Sequence, residues 1–316
     1  MVENISDFGF PSLFLVGIPN LGRFHVWFGF PVCFIYILTL LGNCLLVLMI
    51  KTESSLHQPM YFFLCMLALN DMAISSSTAP KMLSIFWWNV HGIDFDSCLT
   101  QMYFIHTFSI IESALLLSMA FDRYIAICYP LRYSTILTNR VVIQMGLIGA
   151  ARGILMVLPC PLLIKRLTYC TQNVIHHSYC EHMALVKLAC SDTLVNRVYG
   201  ICVALSVMVV DLGLIAGSYV KILQAVFRLS SKEARSKALG TCIAHICAIL
   251  VSYLPALFSF LTHRIGRKVP AYIHTIIASI YLLVPPALNP LVYGVKTKQI
   301  RDHVIDFFFL KRILKH

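Results

Sequence analysis

Residues 27–50 read WFGFPVCFIYILTLLGNCLLVLMI, without one Asp, Glu, Lys or Arg. A helix rises about 1.5 Å per residue, so this run exceeds the roughly 20 residues that cross about 30 Å of hydrocarbon. Residues 238–262 and 269–295 form two more runs free of charge. Open strands cannot span lipid, because their edge amides stay unpaired, so these runs are helices. The whole chain agrees. Its 316 residues are 59% hydrophobic and 12% charged, with mean hydropathy +0.79, whereas a soluble domain carries about a quarter charged residues. The fold class is an all-α membrane protein.

Seven spans emerge, near 27–51, 59–86, 99–127, 141–164, 197–225, 238–263 and 271–295. Four of them are less pure, because they carry Asp71, Glu112, Arg152 and Asp211 inside them. An odd number of spans puts the termini on opposite sides. The sequon Asn4-Ile5-Ser6 accepts glycan only on the lumenal or extracellular side. On the C-terminal side fall 15 of the 25 Lys and Arg, the positive-inside bias. Residues 1–26 are therefore expected outside and 296–316 in the cytosol. The net charge of +11 matches an anionic inner leaflet rather than nucleic acid. The first 22 residues are too polar for a signal-peptide core, so the first helix serves as its own anchor. No linker, repeat or low-complexity tract divides residues 1–316, which read as one domain. After the seventh span, residues 297–311 mix Lys298 and Arg301 with Ile300, Val304 and Phe308, the pattern of a short amphipathic helix on the inner membrane face.

Eight of the 12 cysteines fall in or beside the spans and read as small core residues. Cys98, Cys170, Cys180 and Cys190 fall outside, where an oxidising compartment favours two disulfides; sequence alone allows three pairings. The cluster His176, His177, Cys180, Glu181, His182 offers metal ligands as a minority alternative.

Several motifs then coincide in order: Gly42-Asn43; Leu56-His57-Gln58-Pro59-Met60-Tyr61-Phe62; Met119-Ala120-Phe121-Asp122-Arg123-Tyr124-Ile125-Ala126-Ile127-Cys128; Ser218-Tyr219; Thr241-Cys242 with His245; and Pro285-Pro286-Ala287-Leu288-Asn289-Pro290-Leu291-Val292-Tyr293. Together they resemble a vertebrate olfactory receptor of the rhodopsin-like superfamily, and the resemblance covers essentially the whole chain. His176-His177-Ser178-Tyr179-Cys180-Glu181-His182 and Phe258-Ser259-Phe260-Leu261-Thr262-His263-Arg264 resemble its class I branch, most of all family 52. Ala244 stands where that family usually has Ser, and Tyr253 replaces the helix-six Trp of non-olfactory members. The resemblance implies the bridges Cys98–Cys180 and Cys170–Cys190, a small-molecule odorant outside, and a stimulatory, olfactory-type G protein inside that raises cAMP. A chemosensor for a metabolite acid outside the nose is the alternative. A transporter is the more distant rival, since inverted repeats are not visible; neither is any of the common hydrolase or phosphate-loop motifs.

Class I likeness implies carboxylic acid odorants. Arg264 would hold the acid, since a guanidinium fork matches a carboxylate in bidentate geometry. His106 lies eight residues beyond Cys98, about 12 Å into the bundle, at a family ligand position. Ile105, Ser109, Gly200, Val203, Ala204, Tyr253, Phe260 and Ser279 are expected to complete the pocket, with Gly200 leaving room for a ligand tail. Arg123 is about 25 Å further along the same helix than His106, so the signal must travel as a change in packing. The resemblance makes Asp122, Arg123, Tyr124, Tyr219 and Tyr293 the switch, and Pro255 and Pro290 supply kinks. Asp71 and Glu112 are costly inside a membrane and functional by default; with Asn289 they resemble the superfamily's sodium-binding core. No other cofactor is expected. Arg152 and Asp211 have no partner legible in the sequence.

Overall fold

The computed structural model describes residues 12–19, 24–170, 172–265, 270–296, 300–303 and 305, and side chains for all of these except 237, 241, 259–265, 271, 295 and 296. Seven long helices dominate it: α1 His25–Thr52, α2 Pro59–Trp88, α3 Phe95–Cys128, α4 Asn139–Lys165, α5 Leu194–Phe227, α6 Lys232–Ile265 and α7 Ala271–Lys296. Each contains a window apolar and long enough to cross a membrane. Local chemistry sets their ends. Pro59 opens α2, where its missing N–H costs nothing. Asn89 closes α2 in the left-handed region at φ 55°, a conformation Asn tolerates. Asp94 caps α3 by accepting from the Asp96 and Ser97 amides.

The burial pattern is that of a lipid-embedded bundle. Phe30, Phe34, Ile37, Leu41 and Leu48 are exposed on one face of α1, while Thr39 and Asn43 are fully buried on the other. Polar groups point inward because hydrocarbon cannot satisfy them: Asp71, Glu112, Asp122, Asp211 and Asn289 are all at most 5% exposed. Helix α3 lies at the centre, against α2, α4, α5 and α6, and α7 closes the ring against α1, α2 and α6. One apolar cluster packs the half near Arg123 around Leu64, Leu116, Met119 and Tyr293. Another packs the opposite half around Met82, Leu99, Met102 and Ile164.

Three features depart from the sequence expectations. Helix α6 begins at Lys232, six residues before the apolar run at 238, because the Lys- and Glu-bearing turn continues as helix beyond the span. Helix α5 contains a π-helical turn, Ser206–Asp211, which apolar patterning cannot signal. A small sheet forms at the disulfide end: β1 Leu13–Leu15 lies between antiparallel β2 Gly92–Ile93 and parallel β3 Val174–Ile175. Leu13 and Leu15 are completely buried under it. Of the expected tail helix, residues 300–303 and 305 are helical; Ile300 is buried, and Val304 and Phe308 lie outside the described residues, as does Asn4.

Candidate functional site

The disulfides Cys98–Cys180 and Cys170–Cys190 are both formed, so Cys180 is lost to the metal alternative. Among the described residues no group of three or more His, Cys, Asp or Glu side chains is placed to hold a metal ion. The first bridge ties the long loop between α4 and α5 to the top of α3. Gln101 reinforces it, its Oε1 accepting from the Cys180 amide at 3.0 Å and its Nε2 donating to Ser77 O at 2.9 Å. The loop therefore roofs the bundle.

Beneath that roof is a cavity of about 240 Å3 between α3, α4, α5, α6 and α7. Its wall is mainly apolar, including Ile110, Leu116, Val157, Val203, Ala204 and Met208, with a few fixed polar groups, the usual composition of a small-molecule site. Six of the expected pocket residues line it: His106, Ser109, Gly200, Val203, Ala204 and Tyr253. His106 Nε2 is buried without a hydrogen-bond partner among the described residues. Ile105 points elsewhere, packed against Ile74, Tyr179, Ala278 and Leu282. Ser279 is not in the lining and donates to Thr275 O at 2.7 Å. Phe260 and Arg264 lie on the last turns of α6; their side chains are outside the described residues.

Sequence patterns miss several lining groups. Tyr179, Glu181, His182 and Met183 come from the roof, and Glu112, Ser113, Ser252 and Tyr281 from the helices. The roof residues flank Cys180 directly, so the disulfide is the signal that could have flagged them. Burial, then the Glu181 charge, pushes the Tyr179 phenol upward, and it stays neutral. Gly200 lines the cavity, but the space above it, expected to be open to a ligand tail, holds the His182 ring.

The cavity floor carries two polar networks. Arg152 NH1 on α4 donates to both carboxylate oxygens of Asp211 on α5, at 2.8 and 3.0 Å. Ser113 on α3 donates to Asp211 Oδ2 and is bonded to the Tyr253 hydroxyl of α6. Arg152 and Asp211 thus pair across the bundle, Asp211 at the end of the π-helical turn. In the second network Ser252 donates to Glu112 Oε1 at 2.7 Å, and Asn289 Nδ2 donates to Asp71 Oδ2 at 2.9 Å. Asp71 and Glu112 lie close enough for their charges to interact. Asp71 Oδ1 and Ser75 Oγ, one turn apart on α2, have no hydrogen-bond partner among the described residues. Such an oxygen set fits a hard cation.

About 10 Å beyond the lining residue Leu116, measured along α3, sits the Arg123 end of the bundle. Asp122 is fully buried and doubly engaged: Arg123 Nε and NH2 donate to its Oδ2 at 2.9 and 2.6 Å, and the Tyr133 hydroxyl donates to Oδ1 at 2.7 Å. Burial, then the Asp122 charge and hydrogen bond, raises the Tyr133 phenol, which stays a donor. Tyr219 bonds His245 Nδ1 at 2.7 Å. Tyr293 is buried with its hydroxyl unmatched among the described residues. Tyr124 turns toward Tyr129, its hydroxyl 3.4 Å away. The arrangement pairs Arg123 with Asp122 and so neutralises it.

A family model described as "Olfactory receptor" matches residues 32–311. The human proteins named olfactory receptor 52P1 and olfactory receptor 52A1 are 57% and 54% identical to the chain. These matches cover 94% and 97% of it, and 93% and 99% of the relatives. Olfactory receptor 51E2 of mouse is 50% identical over 96% of the chain and 94% of its own length. Among solved structures, the crystal structure of squid rhodopsin superposes with a TM-score of 0.74 at 17% identity, covering 92% of this chain and 87% of that one.

Proposed function

Since the chain belongs to the olfactory receptor family, and so is a seven-helix, multi-pass receptor of the plasma membrane that is not an enzyme, we propose that it detects a small carboxylic acid and signals through a stimulatory, olfactory-type G protein to raise cAMP. In this reading the disulfide end faces outside, with residues 1–26 and a glycan on Asn4, and the Arg123 end faces the cytosol. Disulfides belong to the oxidising side, and Lys and Arg gather on the other, which supports that orientation.

The observation that carries the ligand reading is the roofed, largely apolar cavity with His106 in its lining. Arg264 sits on the same helix as the lining residues Tyr253 and Ala256, eight residues beyond Ala256 and so about 12 Å further out. It supplies the counter-charge for the acid, His106 adds a hydrogen bond, and the aliphatic tail fills the apolar wall. A charge-assisted hydrogen bond is worth about 1.5–3 kcal/mol, so Arg264→Ala raises the EC50 for linear acids by roughly 10- to 100-fold at equal surface expression. An unchanged acid dose–response refutes the assignment.

Agonist binding then frees Arg123 from Asp122 through motion of α6 and α5, and the exposed Arg123 end accepts the G protein. Asp71, Glu112 and Asn289, with Ser75, would hold a sodium ion, which supplies a fixed positive charge that favours the ionised carboxyls.

A further inference from the structure

Gly200 and His182 meet beneath the roof. An ideal Cβ on Gly200 would stand 3.0 Å from His182 Cε1 and 3.2 Å from its Nδ1, closer than ordinary van der Waals contact. The imidazole therefore lies in a slot on α5 that exists because position 200 has no side chain. The backbone behind the ring is fixed. Cys180 is bonded to Cys98, and Glu181 Oε2 accepts from Ala184 N at 2.7 Å, capping the short helix His182–Val186. Leu185 and Val186 anchor that helix, each at most 1% exposed. The roof cannot retreat, so the ring can only turn. His106 stands edge-on to it, ring centres 6.5 Å apart, and both rings line the cavity.

We propose that Gly200 and His182 form a size gate: the glycine parks the imidazole out of the cavity, and the pair thereby sets the longest ligand tail accepted. This rests on the cavity being the odorant site. A methyl group at 200 presses the ring by a few tenths of an ångström. A branched side chain evicts it, and the open direction is into the cavity, where a five-membered ring takes the room of several methylenes. Removing the ring has the opposite effect and opens the slot to the ligand.

The test is a cAMP dose–response panel of linear carboxylic acids of increasing length, with matching alcohols and aldehydes, normalised to surface expression. Gly200→Val weakens the longest agonists first, at about fourfold per excluded methylene, and leaves the shortest within threefold. His182→Ala extends the accepted length, and Gly200→Val combined with His182→Ala returns the profile toward wild type. Gly200→Ala and His182→Ala carry the same comparison where Gly200→Val does not reach the surface. Equal loss at every length, or no change in length preference for His182→Ala, overturns the gate. Should no acid activate the wild type while alcohols or aldehydes do, the acid reading fails and the length shift in those series still decides the gate.

Discussion

Asp211→Asn keeps shape and volume while removing one charge, which isolates the ion pair with Arg152. The structure fixes what is lost. Asp211 is 1% exposed, Arg152 25%, and the carboxylate accepts two contacts from the guanidinium and one from Ser113. Removing one partner of a buried pair leaves the other uncompensated, a cost of about 3–5 kcal/mol. We take the lower end of that range, about 3 kcal/mol. A change of 3 kcal/mol shifts a thermal midpoint by on the order of 10 °C, and it is a large share of a typical margin of about 5–15 kcal/mol. In detergent micelles, thermal unfolding followed by a thiol-reactive dye should show that drop for Asp211→Asn and again for Arg152→Met. The double variant should lie well above the sum of the two, because replacing both partners by uncharged groups of similar size is often close to neutral. The coupling energy from the cycle should be at least about 2 kcal/mol. Additive single effects, with coupling below about 0.5 kcal/mol, would show that the pair is not an energetic unit and defeat the reasoning. A second readout follows from the Ser113–Tyr253 link: both single variants should also depress agonist efficacy, since those side chains line the cavity.

Two further outcomes are expected from the interior. Asp122→Asn removes the charge that holds Arg123 and should raise agonist-free cAMP several-fold at matched surface expression, whereas Tyr133→Phe, which deletes one hydrogen bond of about 1 kcal/mol, should raise it less; basal signalling at or below wild type in both would contradict the proposed release of Arg123 on activation. Replacing external sodium by choline should raise basal signalling of the wild type and leave Asp71→Asn unmoved, and an equal response in both would remove Asp71 from any cation site.

The candidate site was partly legible. His106, Ser109, Gly200, Val203, Ala204 and Tyr253 could be named in advance because family motifs place them on α3, α5 and α6, and a helix's period fixes which residues share a face. Ile105 and Ser279 are misdirected for the same reason: each position along a helix turns a side chain by about 100°, and Ile105 lies one position from the lining residue His106 and Ser279 two from Tyr281. Glu181, His182 and Met183 could not be found by periodicity, since they lie in a loop whose path follows from a disulfide.

Sequence alone determined the seven spans and the all-α class, because lipid admits few solutions: length and apolarity suffice when every backbone amide must be satisfied within its own helix. It also determined the order of motifs that announces the family. Tertiary structure alone decided that Arg152 answers Asp211, that β1 threads between two loops, and that Gly200 shelters an imidazole. Each of these joins residues far apart in the chain, and which of them meet depends on helix rotation, a π-helical turn and a bridged loop. Those follow from packing summed over the whole bundle, which no local window of sequence contains.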